Sequence, residues 1–334
     1  MLDVTSTTME ERLGIDFADF YKSSSLYLAR KELVEQLSTP LEDLSSTQIH
    51  GHQSHNRLVQ LKACCWKLSM SYWRSPTYIM ARLTFMTTLS ILFAALFWQK
   101  GKKINSAQEI TSMMGLMYMS AVFLGINNCS SVLPVVARER LVFYRERFAG
   151  MYSSYMYPLA QVLVEIPYIL CLTTIYTIIT YPTIGYVWST YKIMWYFYIY
   201  FCSLLYFNYL GMLIMSLSST VQMGAVLASA CYAIICLFSG FIIPKPHIPK
   251  WWIWLYTICP TSWTLNGLLT SQFGNVSTDI EAFGETKALD TYLKDYYGFH
   301  HHELNLVGFV ITCFPIFFAC LFMYFTAKLN FQRS

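Results

Sequence analysis

One carboxylate lies deep inside an apolar stretch and is the first candidate for chemistry. Glu165 stands in the sequence QVLVEIPY, two residues before Pro167. An ionisable group in hydrocarbon is costly unless it is paired, so it indicates either a proton or ion relay or a structural ion pair. We favour a structural carboxylate near the inner end of a span, bonded to an arginine of a nearby basic segment. A single acid without a second titratable partner makes a poor relay.

Three amides also interrupt apolar stretches. Asn127 and Asn128 share one stretch, and Asn208 lies in a later one. Amides inside a membrane either line a cavity or hydrogen-bond helices together. Their spacing leaves both interpretations open.

The basic segment, residues 137–154, reads ARERLVFYRERFAGMYSS and lies between two apolar stretches. Short loops rich in arginine are normally cytoplasmic. Leu141, Tyr144 and Phe148 recur at helical spacing, which predicts a helix with one apolar stripe that ends at Gly150. The segment is therefore either an ordinary charged loop or a helix that docks onto a soluble partner and transmits movement into the membrane.

Other reactive residue types do not form a recognisable site. His50, His52, His55 and the histidines 300–302 have no cysteine or carboxylate in register, so we expect solvated connectors and no metal site. Most of the ten cysteines lie in apolar runs, where they act as small hydrophobes. The sequence has no nucleophile–base pair and no HExxH motif, so we expect no enzyme.

Composition defines the class of protein. Of 334 residues, 55% are hydrophobic, 17% aromatic and only 13% charged, against about a quarter charged in soluble domains. Several apolar runs are long enough to span a bilayer. The net charge of +4 is spread over loops, so no nucleic-acid partner is expected. These features predict an all-α, multi-pass membrane protein.

The elements that position these residues follow in order. A cytoplasmic lead-in, 1–57, carries one helix that ends at Pro40. The membrane domain, 58–334, opens with an amphipathic connecting helix over 58–74 that lies along the inner leaflet. Six spans are predicted, at about 79–98, 111–136, 155–181, 193–216, 223–243 and 306–327. Arg82 is close enough to the inner end of the first span to snorkel.

Six spans place both chain ends and the basic segment in the cytoplasm. The long loop 244–305 then lies outside, in agreement with its glycosylation sequon at Asn275. Within this loop, 251–269 is expected to form short re-entrant helices, which require burial by protein.

Several motifs together resemble one family. The sequence ERLVFYRERFAGMYS, at 139–153, resembles the first intracellular loop of plant pleiotropic drug resistance transporters, which are full-size ABCG proteins. The motifs LDVTS, SYWRSPTY, FSGFIIPKPHIPKWW, SQFG and LNFQRS extend the match along the chain. The resemblance implies the C-terminal ABC-2 type transmembrane domain of such a transporter, with six helices.

The resemblance also implies roles for the basic segment and for partners. Its coupling residues would be Arg138, Glu139, Arg140, Phe143, Tyr144, Arg145, Glu146 and Arg147. They would contact a nucleotide-binding domain that holds ATP and Mg²⁺. The sequence has no GxxxxGK[ST] loop, so this chain is expected to bind no cofactor itself.

A second transmembrane domain would complete the substrate cavity. By resemblance, that cavity would be lined by Phe123, Ile126, Asn127, Ala233, Cys236 and Leu237, below a gate of Phe241 and Ile242.

The function that the resemblance implies is ATP-driven export of amphipathic organic molecules across the plasma membrane. The alternatives are a truncated fragment without independent transport and an ATP-independent carrier or channel. A carrier would show inverted repeats or several intramembrane charges, and the sequence shows neither.

Overall fold

The computed structural model of this chain describes residues 13–38, 56–102, 106–274, 279–282, 285–299 and 301–331. The chain divides into two compact units, residues 1–54 and 55–334. In the first unit, helix α1 (Phe17–Lys22) precedes helix α2 (Ser25–Ser38), which lies in the part of the lead-in where one helix is predicted. Pro40 and the histidines at 50, 52 and 55 lie outside the described residues.

The second unit is built around long helices, of which the first is amphipathic and the others apolar. They are α3 (Arg57–Trp73), α4 (Pro76–Leu96), α5 (Ala107–Phe148), α6 (Met156–Ile184), α7 (Thr190–Leu217) and α8 (Val221–Leu237). Five helices of the described chain are long and apolar enough to cross a membrane: α4 to α7 and a last helix that ends at Lys328. The chain is therefore an integral, multi-pass membrane protein, and its helical class is confirmed.

The second predicted span and the basic segment form a single helix. Helix α5 runs through 42 residues, including Pro134, and is about 63 Å long at 1.5 Å per residue. It ends in a Schellman motif, in which the Gly150 N–H donates to the Arg147 carbonyl (3.0 Å) and the Met151 N–H to the Glu146 carbonyl (3.2 Å). Gly150 takes a φ of +67°, which favours glycine. The basic segment therefore continues the membrane span without a joint.

The helix in the fifth predicted span, 223–243, is shorter than expected. Helix α8 has 17 residues, or about 25 Å, and it ends at Leu237. The Ser239 hydroxyl donates to the Cys236 carbonyl (2.8 Å), and Gly240 follows with a φ of +84°. A Cβ on Gly240 would lie 2.8 Å from the Tyr256 ring, so the close approach and the positive φ both require glycine. This turn ends the helix six residues before the predicted boundary.

Helices α5 and α7 cross at very close range. A Cβ on Gly125 would lie 2.1 Å from the Phe207 ring, and one on Gly211 would lie 2.6 Å from the Cys129 carbonyl oxygen. Small residues at a helix crossing let two backbones approach. Because α7 is the most buried of the spans, this crossing lies in the centre of the bundle.

The segment between α8 and the last span is folded. Helices α9 (Ile253–Ile258) and α10 (Pro260–Phe273) lie where short helices are predicted, and α10 packs between α7 and the last span. A two-stranded antiparallel hairpin follows, β1 (Asp279–Ala282) with β2 (Glu285–Ala288), and is a small addition to the helical fold. It leads into the short helix α11 (Leu289–Tyr292) and then α12 (Leu304–Lys328). The sequon residue Asn275 lies outside the described residues, so its glycosylation stays a prediction.

Candidate functional site

The two carboxylates of the basic segment attach it to neighbouring helices. Glu139 accepts hydrogen bonds from the Ser71 hydroxyl of α3 (3.1 Å) and from the Tyr157 hydroxyl of α6 (2.9 Å). Glu146 accepts a hydrogen bond from the Tyr152 hydroxyl (2.8 Å) and forms an ion pair with Lys67 of α3. Both acids therefore face into the protein.

An aromatic cluster fills the space behind these carboxylates. Phe143 and Tyr144 are buried, and the Phe143 ring stacks on Tyr157 with 5.1 Å between centroids. Tyr152 stacks on the other side of the cluster, 6.0 Å from the Tyr157 ring. Burial and the adjacent Glu146 carboxylate raise the pKa of the Tyr152 phenol, so it keeps the proton that it donates. This packing fixes the orientation of the basic segment about the α5 axis.

Arg140 joins the basic segment to the end of another span. Its guanidinium donates to the carbonyls of Met215 (3.1 Å), Ser218 (2.6 Å) and Ser219 (2.6 Å), at the C-terminus of α7. Helix C-terminal carbonyls have no partner within the helix and attract a cation. A displacement of the basic segment would therefore act directly on the α7–α8 junction.

The face opposite this packing is exposed and mixes apolar with basic residues. Leu141 is 57% exposed and Phe148 70% exposed, and Arg145 lies between them on the same side of the helix. The prediction of one apolar stripe through Leu141, Tyr144 and Phe148 is wrong, because Tyr144 is buried. The bonds of Glu139 and Glu146 set the rotation of the helix, which a spacing pattern does not contain.

The structure divides the predicted coupling residues accordingly. Those that face inward are Glu139, Arg140, Phe143, Tyr144 and Glu146. Arg138 and Arg145 are exposed, and Arg147 is half-buried. The exposed face of this segment includes Leu141, Arg145 and Phe148.

A second polar cluster is buried within the spans. Arg82 of α4 is 4% exposed and Glu165 of α6 is fully buried, with 2.9 Å between Nη1 and Oε2. The Tyr72 and Tyr78 hydroxyls each donate to Glu165 Oε1 over 3.0 Å. Glu165 is thus a structural carboxylate, but its predicted partner in the basic segment is wrong. The prediction that Arg82 snorkels is also wrong. The buried Glu165 carboxylate balances the charge of the guanidinium, so the side chain is stable inside the protein without reaching the polar interface.

Two of the three amides belong to the same cluster. Arg82 donates through Nε to Asn128 Oδ1 (2.9 Å) and through Nη2 to Asn208 Oδ1 (3.1 Å). Asn128 and Asn208 therefore hold helices together through the guanidinium. Asn127 is half-buried and no contact places it in this cluster. The sequence carries one signal for this role of Arg82: an arginine within an apolar helix normally pairs with another polar group inside the bundle.

The predicted cavity and gate residues lie on helices that contact each other. The Tyr118 hydroxyl of α5 donates to the Cys236 carbonyl of α8 (3.2 Å), and Phe241 stacks on the Tyr118 ring at 4.7 Å. The predicted residues Phe123, Ala233, Leu237 and Ile242 are exposed, and Ile126, Asn127, Cys236 and Phe241 are half-buried. This chain does not itself enclose the exposed residues, and their role stays a prediction.

Metal binding finds no support in the described part of the chain. Within those residues, no group of three or more His, Cys, Asp or Glu side chains is placed to hold an ion. All ten cysteines are free thiols.

Comparison with known proteins decides the family. Residues 59–273, from α3 to the end of α10, match the model of the ABC-2 type transporter. The chain belongs to the ABC-2 type transporter family. It is 49% identical over 334 residues to ABC transporter G family members 41 and 30 of Arabidopsis thaliana, and 47% identical over 336 residues to member 41 of Oryza sativa subsp. japonica. Each comparison covers 100% of this chain but only 24%, 24% and 23% of the relative. The chain thus spans about a quarter of these relatives and is similar to a membrane domain of them.

Proposed function

We propose that this chain is the C-terminal permease unit of a full-size ABCG transporter of the pleiotropic drug resistance group. Membership of the ABC-2 family supports a membrane permease role in transport. Relatives about four times as long as this chain leave room for a second transmembrane domain and for nucleotide-binding domains. The proposed transport is ATP-driven export of amphipathic organic molecules. Its placement in the plasma membrane rests on the resemblance to this group.

The observation that carries this proposal is the continuity of α5. A partner that pushes on the exposed face of Leu141, Arg145 and Phe148 acts on a helix that runs unbroken from the basic segment to Ala107. That face suits a soluble domain with an apolar pocket and acidic residues nearby. The proposed partner is a nucleotide-binding domain, which would supply ATP hydrolysis with Mg²⁺.

The exposed apolar faces of α5 and α8 support a second transmembrane partner. Phe123 on α5 and Leu237 on α8 are both exposed on helices that pack together. We place the substrate cavity between these faces and those of a second unit. Phe241, which packs on Tyr118 just beyond the end of α8, is the proposed gate. Apolar walls suit an amphipathic organic substrate.

The coupling part of the proposal is tested in a full-length transporter that contains this chain. Arg145→Glu and Phe148→Ala remove exposed interface groups and should each lower ATP-dependent export about tenfold, as expected for interface anchors. Matched controls are Lys250→Glu, an exposed cation beyond α8, and Phe309→Ala, which at 71% is as exposed as Phe148.

The Arg145→Glu and Phe148→Ala proteins should both insert into the membrane and unfold like the parent protein, because neither side chain is packed. Export at the parental rate in both variants, with ATP hydrolysis unchanged, would show that this face is not the coupling surface. A loss of export in the control variants to the same degree would also refute the assignment.

A further inference from the structure

A cavity of about 600 Å³ lies where α3 meets α4, beside α5. It is distinct from the exposed face described above, and it adjoins the buried ion pair through Tyr78, which lines the cavity and donates to Glu165. Its lining includes two arginines and three serine or threonine residues: Arg74, Ser75, Thr77, Ser131 and Arg138. The volume falls within the range of about 300–1,000 Å³ typical of sites for small organic groups.

The charge of this cavity is positive and uncompensated. Neither Arg74 nor Arg138 forms an ion pair or a side-chain hydrogen bond with the described residues. Among the described residues, no carboxylate lies in the lining. Ser75 occupies the N-cap position of α4 without a side-chain hydrogen bond to the helix. Pro76 has no N–H, and the Tyr78 N–H donates to the Ser75 carbonyl (3.3 Å), so the Thr77 N–H is the donor that this first turn leaves toward the cavity. All these groups favour an anion with oxygen acceptors.

The position of the cavity indicates which molecule could supply that anion. It lies at the first residues of the span α4 and at the point where α5 passes from its apolar stretch into the basic segment. Trp66 and Trp73 on α3 are both exposed, as tryptophans at the headgroup level of a bilayer are. The cavity is therefore at the height of the lipid headgroups on the side of the basic segment.

We propose that this cavity binds the headgroup of an anionic glycerophospholipid of the inner leaflet. Arg74 and Arg138 contact the phosphate, since guanidinium groups match phosphate oxygens in two parallel hydrogen bonds. The serine and threonine hydroxyls contact the polar part of the headgroup, and the acyl chains remain in the bilayer. Basic pockets between spans on the cytoplasmic side are suited to such headgroups.

The test measures lipid retention by the intact chain, not transport. Detergent-purified protein is mixed with phosphatidylinositol or phosphatidylcholine, and the bound lipid is counted by native mass spectrometry. The parent protein should retain phosphatidylinositol in preference. R74Q and R138Q should each weaken that retention about fivefold, as expected for one cation near an anionic headgroup.

The matched control is K62Q. It removes an exposed cation from α3, the helix that Arg74 follows, and it does not change the lining of the cavity. It should leave retention unchanged, and an equal loss in K62Q would overturn the site in favour of general surface charge. S131L leaves the charge intact but fills the cavity, so it should also lose the lipid. It serves as the second variant if an arginine variant unfolds in phosphatidylcholine alone.

A competition arm separates a lipid from a free anion. Excess inorganic phosphate should leave most of the phosphatidylinositol bound, because the acyl chains hold the headgroup at the cavity. Complete displacement by phosphate would overturn the assignment to a lipid. Since the readout involves neither ATP nor export, its outcome is independent of the coupling test above.

Discussion

The buried pair of Arg82 and Glu165 gives the sharpest prediction about stability. Glu165→Gln removes the charge that balances a guanidinium only 4% exposed, and it keeps the size of the side chain. Two unit charges 4 Å apart interact by about 4 kcal/mol at an effective dielectric constant of 20. Breaking one partner of a buried pair typically costs about 3–5 kcal/mol. We therefore expect Glu165→Gln to destabilise the membrane domain by about 3–4 kcal/mol.

The same reasoning predicts strong coupling between the two positions. Arg82→Met alone leaves a buried carboxylate with only hydroxyl donors, from Tyr72 and Tyr78. When both substitutions are combined, no unpaired charge remains, although the tyrosine and asparagine groups lose partners. The loss of unfolding free energy in the double variant should therefore be smaller than the sum of the losses in the two single variants. The difference should be about 2 kcal/mol or more.

The assay is denaturant-induced unfolding of the chain in mixed micelles, followed by tryptophan fluorescence. Glu303→Gln serves as the control, because this carboxylate is partly exposed and its replacement should change stability by about 0.5 kcal/mol or less. Effects of Arg82→Met and Glu165→Gln that add within about 0.5 kcal/mol would refute the reasoning. That result would mean that the two charges do not interact in the folded protein.

Two further predictions concern helix packing and thiol chemistry. Gly125→Ala should destabilise by about 1–3 kcal/mol, because its Cβ would lie 2.1 Å from the Phe207 ring. Gly224→Ala should be tolerated in the same unfolding assay, since its nearest contact is the flexible Met215 side chain at 3.3 Å; equal effects would contradict the crossing. Burial raises the pKa of the Cys64 thiol above 9.0, so less thiolate exists at neutral pH than for a free cysteine. Maleimide labelling of a variant that retains only Cys64 should still accelerate above pH 9, and a plateau below pH 9 would count against this burial.

Several features of the fold followed from sequence patterns alone. The low charge and long apolar runs predicted the membrane class, and Gly150 marked the end of α5. The helix of residues 57–73 and the short helices after Trp251 also lie where composition indicated. These signals are local, so no tertiary information was needed to find them.

The remaining features depend on how helices face each other. The spacing of Leu141, Tyr144 and Phe148 predicted a stripe, but hydrogen bonds of Glu139 and Glu146 to other helices determine which side is buried. Likewise, Arg82 was expected to reach the membrane interface because it lies close to the start of the span. Its partner Glu165 lies 83 residues away in the chain. Spacing within one helix does not specify such a contact.

The crossing of α5 and α7 gives the long helix the geometry of a lever. Gly125, where α5 meets the Phe207 ring of α7, divides α5 into an arm of about 35 Å toward the basic segment and one of about 27 Å toward Ala107. As long as Pro134 in the longer arm does not act as a hinge, a helix held near its middle tilts about that point, so its two ends move in opposite directions. An inward swing of the basic segment would therefore carry the opposite end outward by a somewhat smaller distance, and Gly125 would be the pivot.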